Sequence, residues 1–310
     1  MDVLRIDSAG VLTMIEDLGR PGHYAAGVPL GGAMDRFALS AANLLVGNPP
    51  GAPGLECTLA GPTLTALRDC LVAVTGADFG PCRNGHAIPG WTSAFLARGD
   101  VLSFSGRRYG ARAYVAVAGG LAGQRWLGSA STYLAVERGG RHGRQLEAGD
   151  VLESDADPTR PMVADRTVPP SERPDYEAAA ALRVVPGPHL SKLSRADRRA
   201  FFETAWEVSR DADRMGYRLE GPSLELSVPA LVSFGLTVGC IQLPPGGRPI
   251  LLLVDHQTAG GYPVLATLAG ADLPLAAQLL PGDRLSFAEV SVEAAQEAMR
   301  DREHRLARIA

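Results

Sequence analysis

Between Leu55 and Phe104 the chain is cut into short pieces. Strand-like segments at Thr58 to Leu59, Thr63 to Leu67, Leu71 to Thr75, Ala94 to Leu96 and Val101 to Phe104 follow one another closely. Turn pairs separate them at Gly61-Pro62, Asn84-Gly85, Pro89-Gly90 and Arg98-Gly99-Asp100. Strands this closely spaced, punctuated by Gly and Pro, leave no room for crossover helices and point to an all-β barrel or sandwich. Val3 to Ile6, Val11 to Ile15 and Arg112 to Ala118 extend the same pattern. The second half echoes the first. Glu220-Gly221-Pro222-Ser223-Leu224 parallels Ala60-Gly61-Pro62-Thr63-Leu64, and Gly282-Asp283-Arg284-Leu285-Ser286-Phe287 parallels Gly99-Asp100-Val101-Leu102-Ser103-Phe104. Asp213-Arg214 has its counterpart in Asp35-Arg36, in the same order, so two related β-rich domains are expected. Their expected bounds are 1–155 and 181–290, with a Pro-rich linker over 156–180 and a closing helix over 291–310.

Three helices break the pattern. Phe37, Ala41, Leu44 and Leu45 share one face, with Asp35 as N-cap and Gly47 as the stop. Ser194 and Asp197 occupy capping-box positions for a helix over 194–206, and Ser291 precedes one over 292–306. Arg36 is unusual, because a cation in a first helical turn is disfavoured by about 0.5 kcal/mol. An anion bound there would reverse the sign; otherwise Asp35 simply caps the helix and Arg36 points into water.

Chemistry is densest in Val254-Asp255-His256-Gln257-Thr258-Ala259-Gly260-Gly261-Tyr262-Pro263-Val264. Short apolar runs flank it on both sides and read as buried strands. A loop that only reversed direction would need little beyond its glycines, whereas this one carries an acid, an imidazole, an amide, a hydroxyl and a phenol. Asp255 and His256 are alternative general bases; Gln257 and Thr258 can hold a carbonyl, and Tyr262 can donate to a developing oxyanion. The competing reading is a polar hairpin that satisfies its own backbone. Two further clusters are Gly31 to Arg36 and Asp211 to Arg218. In the latter, Asp213 and Arg214 suit a planar anion, or else form a surface ion pair of little energetic worth.

Other chemistries are excluded or disfavoured. A net charge of -4 indicates neither a nucleic-acid surface nor an acidic tail. Lys192 is the only lysine and lacks the spaced glycines of a phosphate loop before it. Cys57, Cys70, Cys82 and Cys240 form no Cys-x-x-Cys pair, so no metal motif is present. No apolar run reaches the roughly 20 residues a bilayer requires, and Asp2, Arg5 and Asp7 are unlike a secretory signal. A cytoplasmic protein with reduced thiols is expected.

Long motifs carry a resemblance. Gly31-Gly32-Ala33-Met34-Asp35-Arg36, Asn43 to Asn48, Asp213 to Pro222, and Gln257 with Gly260-Gly261-Tyr262-Pro263 resemble allophanate hydrolase subunit 2, also called the C component of 5-oxoprolinase. This is the biotin-dependent carboxyltransferase-domain family, which includes an antagonist of a kinase inhibitor. The family's usual Arg-Gln-Thr-Thr-Gly-Gly stands here as His256-Gln257-Thr258-Ala259-Gly260-Gly261. The resemblance implies two tandem cyclophilin-like β-barrel domains. It implies a heteromer with a smaller partner, the B component of 5-oxoprolinase (subunit 1) or its kinase-inhibitor-like equivalent, and a third lactamase-like protein. The activity implied is the ATP-dependent opening of 5-oxoproline to glutamate. Its alternatives are the carboxyltransferase half of a urea-type carboxylase and a non-catalytic binder of a kinase inhibitor. ATP belongs to the complex, and biotin has no Ala-Met-Lys-Met attachment site on this chain. Met34, Asp35, Arg36, Asp213, Arg214, Gln257, Thr258, Gly260 and Gly261 are the expected substrate-binding residues, converging with Asp255, His256 and Tyr262 on one cleft.

Overall fold

The computed structural model describes residues 1–155, 162–177 and 180–309. Its contacts define two units. The first comprises Met1–Arg20, Gly31–Glu177 and the chain from Arg305; the second comprises Pro21–Leu30 and Ala178–His304.

The first unit is built on two antiparallel sheets. One runs Val151–Glu153, Asp2–Ser8, Thr63–Ala66, Val101–Phe104, Pro81–Arg83, His86–Ala87. The other runs Leu12–Glu16, Gly54–Thr58, Tyr109–Val117, Cys70–Asp78, Thr92–Leu96. Side chains alternate across a strand, and here both faces of the second sheet are covered. Ala113, Val115 and Val117 join Val3, Ile6, Leu64 and Leu102 in the core between the sheets. Tyr114 and Ala116 face the opposite way, toward Phe37, Ala41 and Leu45 of the helix Arg36–Leu45. A strand buried on both faces has no polar side to show, which is why Arg112 to Ala118 reads as a nearly unbroken apolar run. The helix begins as expected, with Asp35 Oδ1 accepting from the Ala38 N–H at 2.9 Å. It ends at the left-handed Gly47 (φ 78°), where a side chain would be strained.

The Pro-rich stretch lies partly outside the described residues, at 156–161, 178 and 179. Its described part, 162–177, is packed onto the first unit. The Ser93 N–H donates to the Arg166 carbonyl at 2.8 Å, the Val168 N–H to the Trp91 carbonyl at 2.9 Å, and Val168 is fully buried. Proline ended regular structure there without preventing edge pairing with the strand Thr92–Leu96.

In the second unit seven strands close into a barrel, in the order Ala180–Pro186, Val264–Leu268, Cys240–Gln242, Ile250–Leu252, Gly216–Glu220, Trp206–Val208, Arg284–Glu289. Parallel pairing of the last strand with the first completes it, and closure removes the exposed edges. The helix expected over 194–206 stops earlier, spanning Arg195–Glu203, and Trp206 opens a strand instead. Thr204 is already extended, and the buried Trp206 indole turns back to donate to the Phe201 carbonyl at 3.0 Å. The final helix is Val292–Ile309, where Ser291 Oγ accepts from the Ala294 N–H at 3.2 Å.

The repeated Gly-Asp has one physical role. Asp100, Asp150 and Asp283 each accept the N–H of the residue three positions earlier, at 3.0, 2.9 and 2.8 Å. The glycines before them, Gly99, Gly149 and Gly282, are left-handed, with φ 92, 94 and 91°. The same side-chain-closed turn therefore occurs twice in the first unit and once in the second. The mainly β, twofold organisation expected from the repeats is present.

Candidate active site

Ile250–Leu252 and Val264–Leu268 are not neighbours in the barrel: each pairs with Cys240–Gln242, which lies between them. The polar loop is therefore no hairpin. It is a crossover between two strands that run parallel to each other, leaving Leu252 at the Cys240 end of the intervening strand and returning at Val264 opposite Gln242, the last residue of that strand. The Gln257 Nε2 amide donates to Gln242 Oε1 at 3.1 Å. Gln242 is 1% exposed, and its own Nε2 has no hydrogen-bond partner among the described residues. A buried donor without a partner costs roughly 1–3 kcal/mol, and such a cost persists at sites that serve a ligand.

Gly260 leaves room beside that amide. A Cβ there would lie 3.2 Å from Gln242 Nε2, 4.0 Å from Gln257 Nε2 and 3.0 Å from Leu236 Cδ1. The loop is held from the other side, where Ala259–Gly260 pairs with Phe234–Gly235 and the Leu236 N–H donates to the Thr258 carbonyl at 2.9 Å.

His256 is fully buried. Its Nδ1 lies 2.6 Å from the Gln257 carbonyl. A carbonyl can only accept, so Nδ1 carries the proton, and in the neutral ring Nε2 is the lone-pair atom. Nε2 is buried without a hydrogen-bond partner among the described residues. Burial pulls the imidazole pKa below its usual value, outweighing the Gln257 carbonyl and the Asp255 charge, so the ring is held neutral. Tyr24, from the segment Pro21–Leu30, covers it at a ring-centroid distance of 5.8 Å.

Arg214 finds its partner in this loop rather than next door in sequence. Its Nε donates to Asp255 Oδ2 at 2.8 Å, and both side chains are only 10% exposed. The alternative of a surface ion pair between the adjacent Asp213 and Arg214 is replaced by this buried one. Asp213 instead accepts from the Met215 and Gly216 N–H groups at 2.7 and 3.2 Å and shapes the turn. Of the two candidate bases, Asp255 is thus fixed by a cation, and His256 has a lone pair that no described residue engages.

The remaining expected residues are distributed differently. Tyr262 is 45% exposed and lines a groove together with the 223–231 segment, Leu243, Pro244 and Pro245. Gly261 permits that approach, since a Cβ there would come within 3.0 Å of the Leu231 carbonyl. Met34, Asp35 and Arg36 belong to the first unit. The Met34 N–H donates to Glu56 Oε2 and the Asp35 N–H to the Tyr114 hydroxyl, each at 2.8 Å. The Asp35 carboxylate caps the helix and accepts the Tyr176 hydroxyl, while Arg36 donates to the Leu18 carbonyl at 2.7 Å. Asp35 therefore supports the fold, and Arg36 does not simply point into water.

Gln242 and Tyr24 escaped sequence reasoning. Gln242 had one signal, an amide inside the apolar run Cys240-Ile241-Gln242-Leu243; Tyr24 sits far away in sequence and had none.

A β unit with paired sheets, a seven-stranded barrel and a polar loop over its central strand define a carboxyltransferase-type protein. Residues 26–289 match the family described as carboxyltransferase domain, subdomain A and B, and the chain belongs to that family. Among curated relatives it is similar to the C component of 5-oxoprolinase from Escherichia coli (strain K12), with 37% identity over 97% of this chain and 96% of that protein. The C component of 5-oxoprolinase from Haemophilus influenzae is 33% identical over 98% of this chain and 95% of the relative. Among solved structures, the Kluyveromyces lactis urea amidolyase matches with a TM-score of 0.93 at 28% identity, over 99% of this chain but only 20% of the larger one. No helix among the described residues is long and apolar enough to cross a membrane.

Proposed function

We propose that this chain is the C component of an ATP-dependent 5-oxoprolinase, catalytic together with its partner proteins in the cytoplasm. The observation that carries this reading is the end-to-end likeness to proteins of that name, against a match to only a fifth of the urea amidolyase. The site chemistry agrees with it. A lactam is a cis amide whose N–H and C=O lie on the same edge. Gln242 Nε2 is a buried donor suited to the carbonyl, and His256 Nε2 is a buried acceptor suited to the N–H. In this reading His256 Nε2 accepts a hydrogen bond from the lactam N–H and orients the ring, Gln242 and Gln257 polarise the carbonyl, and Arg214 with Asp255 fixes the loop. Because His256 is covered by Tyr24, substrate reaches it when the segment Pro21–Leu30 moves aside. ATP acts at the level of the complex.

The test is reconstitution with the smaller B-type and lactamase-like partners, followed by glutamate release from 5-oxoproline with and without ATP. His256→Phe is expected to lower turnover by roughly 100-fold or more while the heteromer still assembles. Wild-type turnover in that variant would remove His256 from the chemistry. The urea amidolyase likeness favours a second reading, carboxyl transfer between carboxybiotin and urea. Urea-dependent decarboxylation of free carboxybiotin, without glutamate release from 5-oxoproline, would establish it in place of the first.

A further inference from the structure

The first unit contains a second candidate site, independent of the one above. The strand Tyr109–Val117 pairs with Cys70–Asp78 through an irregularity: Tyr109 lies opposite Asp78, yet Ala113 lies opposite Gly76, four residue steps against two. The extra residues bulge the sheet, and bulges commonly sit beside sites because they re-aim side chains. Next to this one is a half-open cavity of about 180 Å³, lined by Thr75, Asp78, Trp91, Ser105, Tyr109 and Arg173 among others.

Two of its walls are unusual. Trp91 has a left-handed backbone, φ 58°, which is strained for a bulky residue, and it is held there by its N–H bond to the Val74 carbonyl at 2.6 Å. Arg173 stacks on the Trp91 ring, with Cζ 5.8 Å from the centroid. Its Nε and Nη2 both donate to the Val168 carbonyl, at 2.8 and 2.6 Å, leaving Nη1 without a partner among the described residues. No described carboxylate lies within ion-pair distance of it. The one acid lining the cavity, Asp78, is already taken by Arg108 at 3.1 Å and by the Gly80 N–H at 2.7 Å. Burial pulls the Arg173 pKa below its usual value, the mark of a charge that the protein itself does not compensate.

We propose that this cavity binds a small monocarboxylate, held by the Arg173 guanidinium over the Trp91 face with the Tyr109 and Ser105 hydroxyls as further donors. A planar fork matched to a planar anion accounts for an arginine at this position. The volume lies well below the roughly 300 Å³ at which drug-sized pockets begin, so nucleotides are excluded by size.

The experiment follows the indole N–H resonances of Trp91, Trp126 and Trp206 in the ¹⁵N-labelled full chain, titrated with propionate and with its neutral isostere propionamide. Propionate is expected to shift Trp91 alone, and propionamide to shift none. Arg173→Gln should weaken propionate binding at least about tenfold, with Arg173→Lys intermediate. Equal responses to the two probes, or no response of Trp91, would overturn the proposal. Tighter binding of inorganic phosphate than of propionate would overturn the ligand class. Should Arg173→Gln unfold, the probe contrast in the unaltered chain and the Arg173→Lys titration still decide the matter.

Discussion

Replacing Arg214 by Met deletes the cation facing Asp255 and leaves a carboxylate that is only 10% exposed. Among the described residues Asp255 Oδ1 has no hydrogen-bond partner, so the substitution removes the one side-chain bond its carboxylate accepts from them. Breaking one side of a buried pair typically costs about 3–5 kcal/mol, and the residual exposure puts this case near the lower bound, about 3 kcal/mol. Replacing both residues at once, Arg214→Met with Asp255→Leu, removes both desolvation penalties and should cost much less than the two single changes added together. The expected coupling is therefore about 2 kcal/mol. Trp206 is the only tryptophan of the second unit and is fully buried in the barrel, so 5-fluorotryptophan labelling gives one ¹⁹F resonance that follows barrel unfolding in urea. A coupling below about 0.5 kcal/mol would refute the reasoning, because the two residues would then act as an ordinary surface pair. The result also bears on activity assays. Arg214 variants that lose turnover in proportion to the unfolded fraction would identify the arginine as a support for the loop rather than a contact to substrate.

The neutral state of His256 makes barrel stability depend on pH. Its folded pKa lies below the ordinary 6.5, so the unfolded chain binds the proton first, and this contribution is full above about pH 6.5 and declines as pH falls below it. In His256→Phe that slope should flatten, which urea midpoints measured from pH 5 to pH 8 would reveal. Gln242→Leu removes a buried Nε2 without a partner among the described residues, and Gln257, which loses its bond to Gln242 Oε1, is exposed to water instead. It should be neutral or stabilising by up to about 1 kcal/mol in urea unfolding, yet lower 5-oxoproline turnover by roughly tenfold. Asp150 is held down to about 2 by its hydrogen bonds with Arg144 and the Glu147 N–H. Its contribution is present above about pH 4 and is lost as pH falls through about 2. With Arg144 partly exposed we expect about 1 kcal/mol, seen as a shallower acid limb in Asp150→Asn.

Features governed by neighbours along the chain were legible in the sequence. The Asp35 cap and the Gly-Asp turns at 99–100 and 282–283 depend on side chains reaching backbone three residues away, the Gly47 stop depends on a left-handed backbone, and these occur as read. Features set by strand order were not legible. Two apolar runs flanking a short loop suggest a hairpin, and only the intervening Cys240–Gln242 strand reveals a crossover that returns opposite Gln242. The partner of Arg214 was misjudged for the same reason, since the adjacent Asp213 is engaged with its own turn and the ion pair spans 41 residues. Trp206 continued an apolar helical spacing, but burial in the barrel outweighed that periodicity.

The segment Pro21–Leu30 belongs with the barrel, and the chain from Arg305 belongs with the opening sheets. Each unit thus borrows a stretch from the far side of the other in the linear order. On the ribosome the earlier-made half must wait for the stretch from Arg305 to emerge before its own set is whole. A gene divided near codon 178 would yield two products, one without its terminal helical turn and the other without the Tyr24 cover of its buried imidazole. A cut at the very place where a boundary would be easiest to draw therefore leaves neither product with its full set of segments.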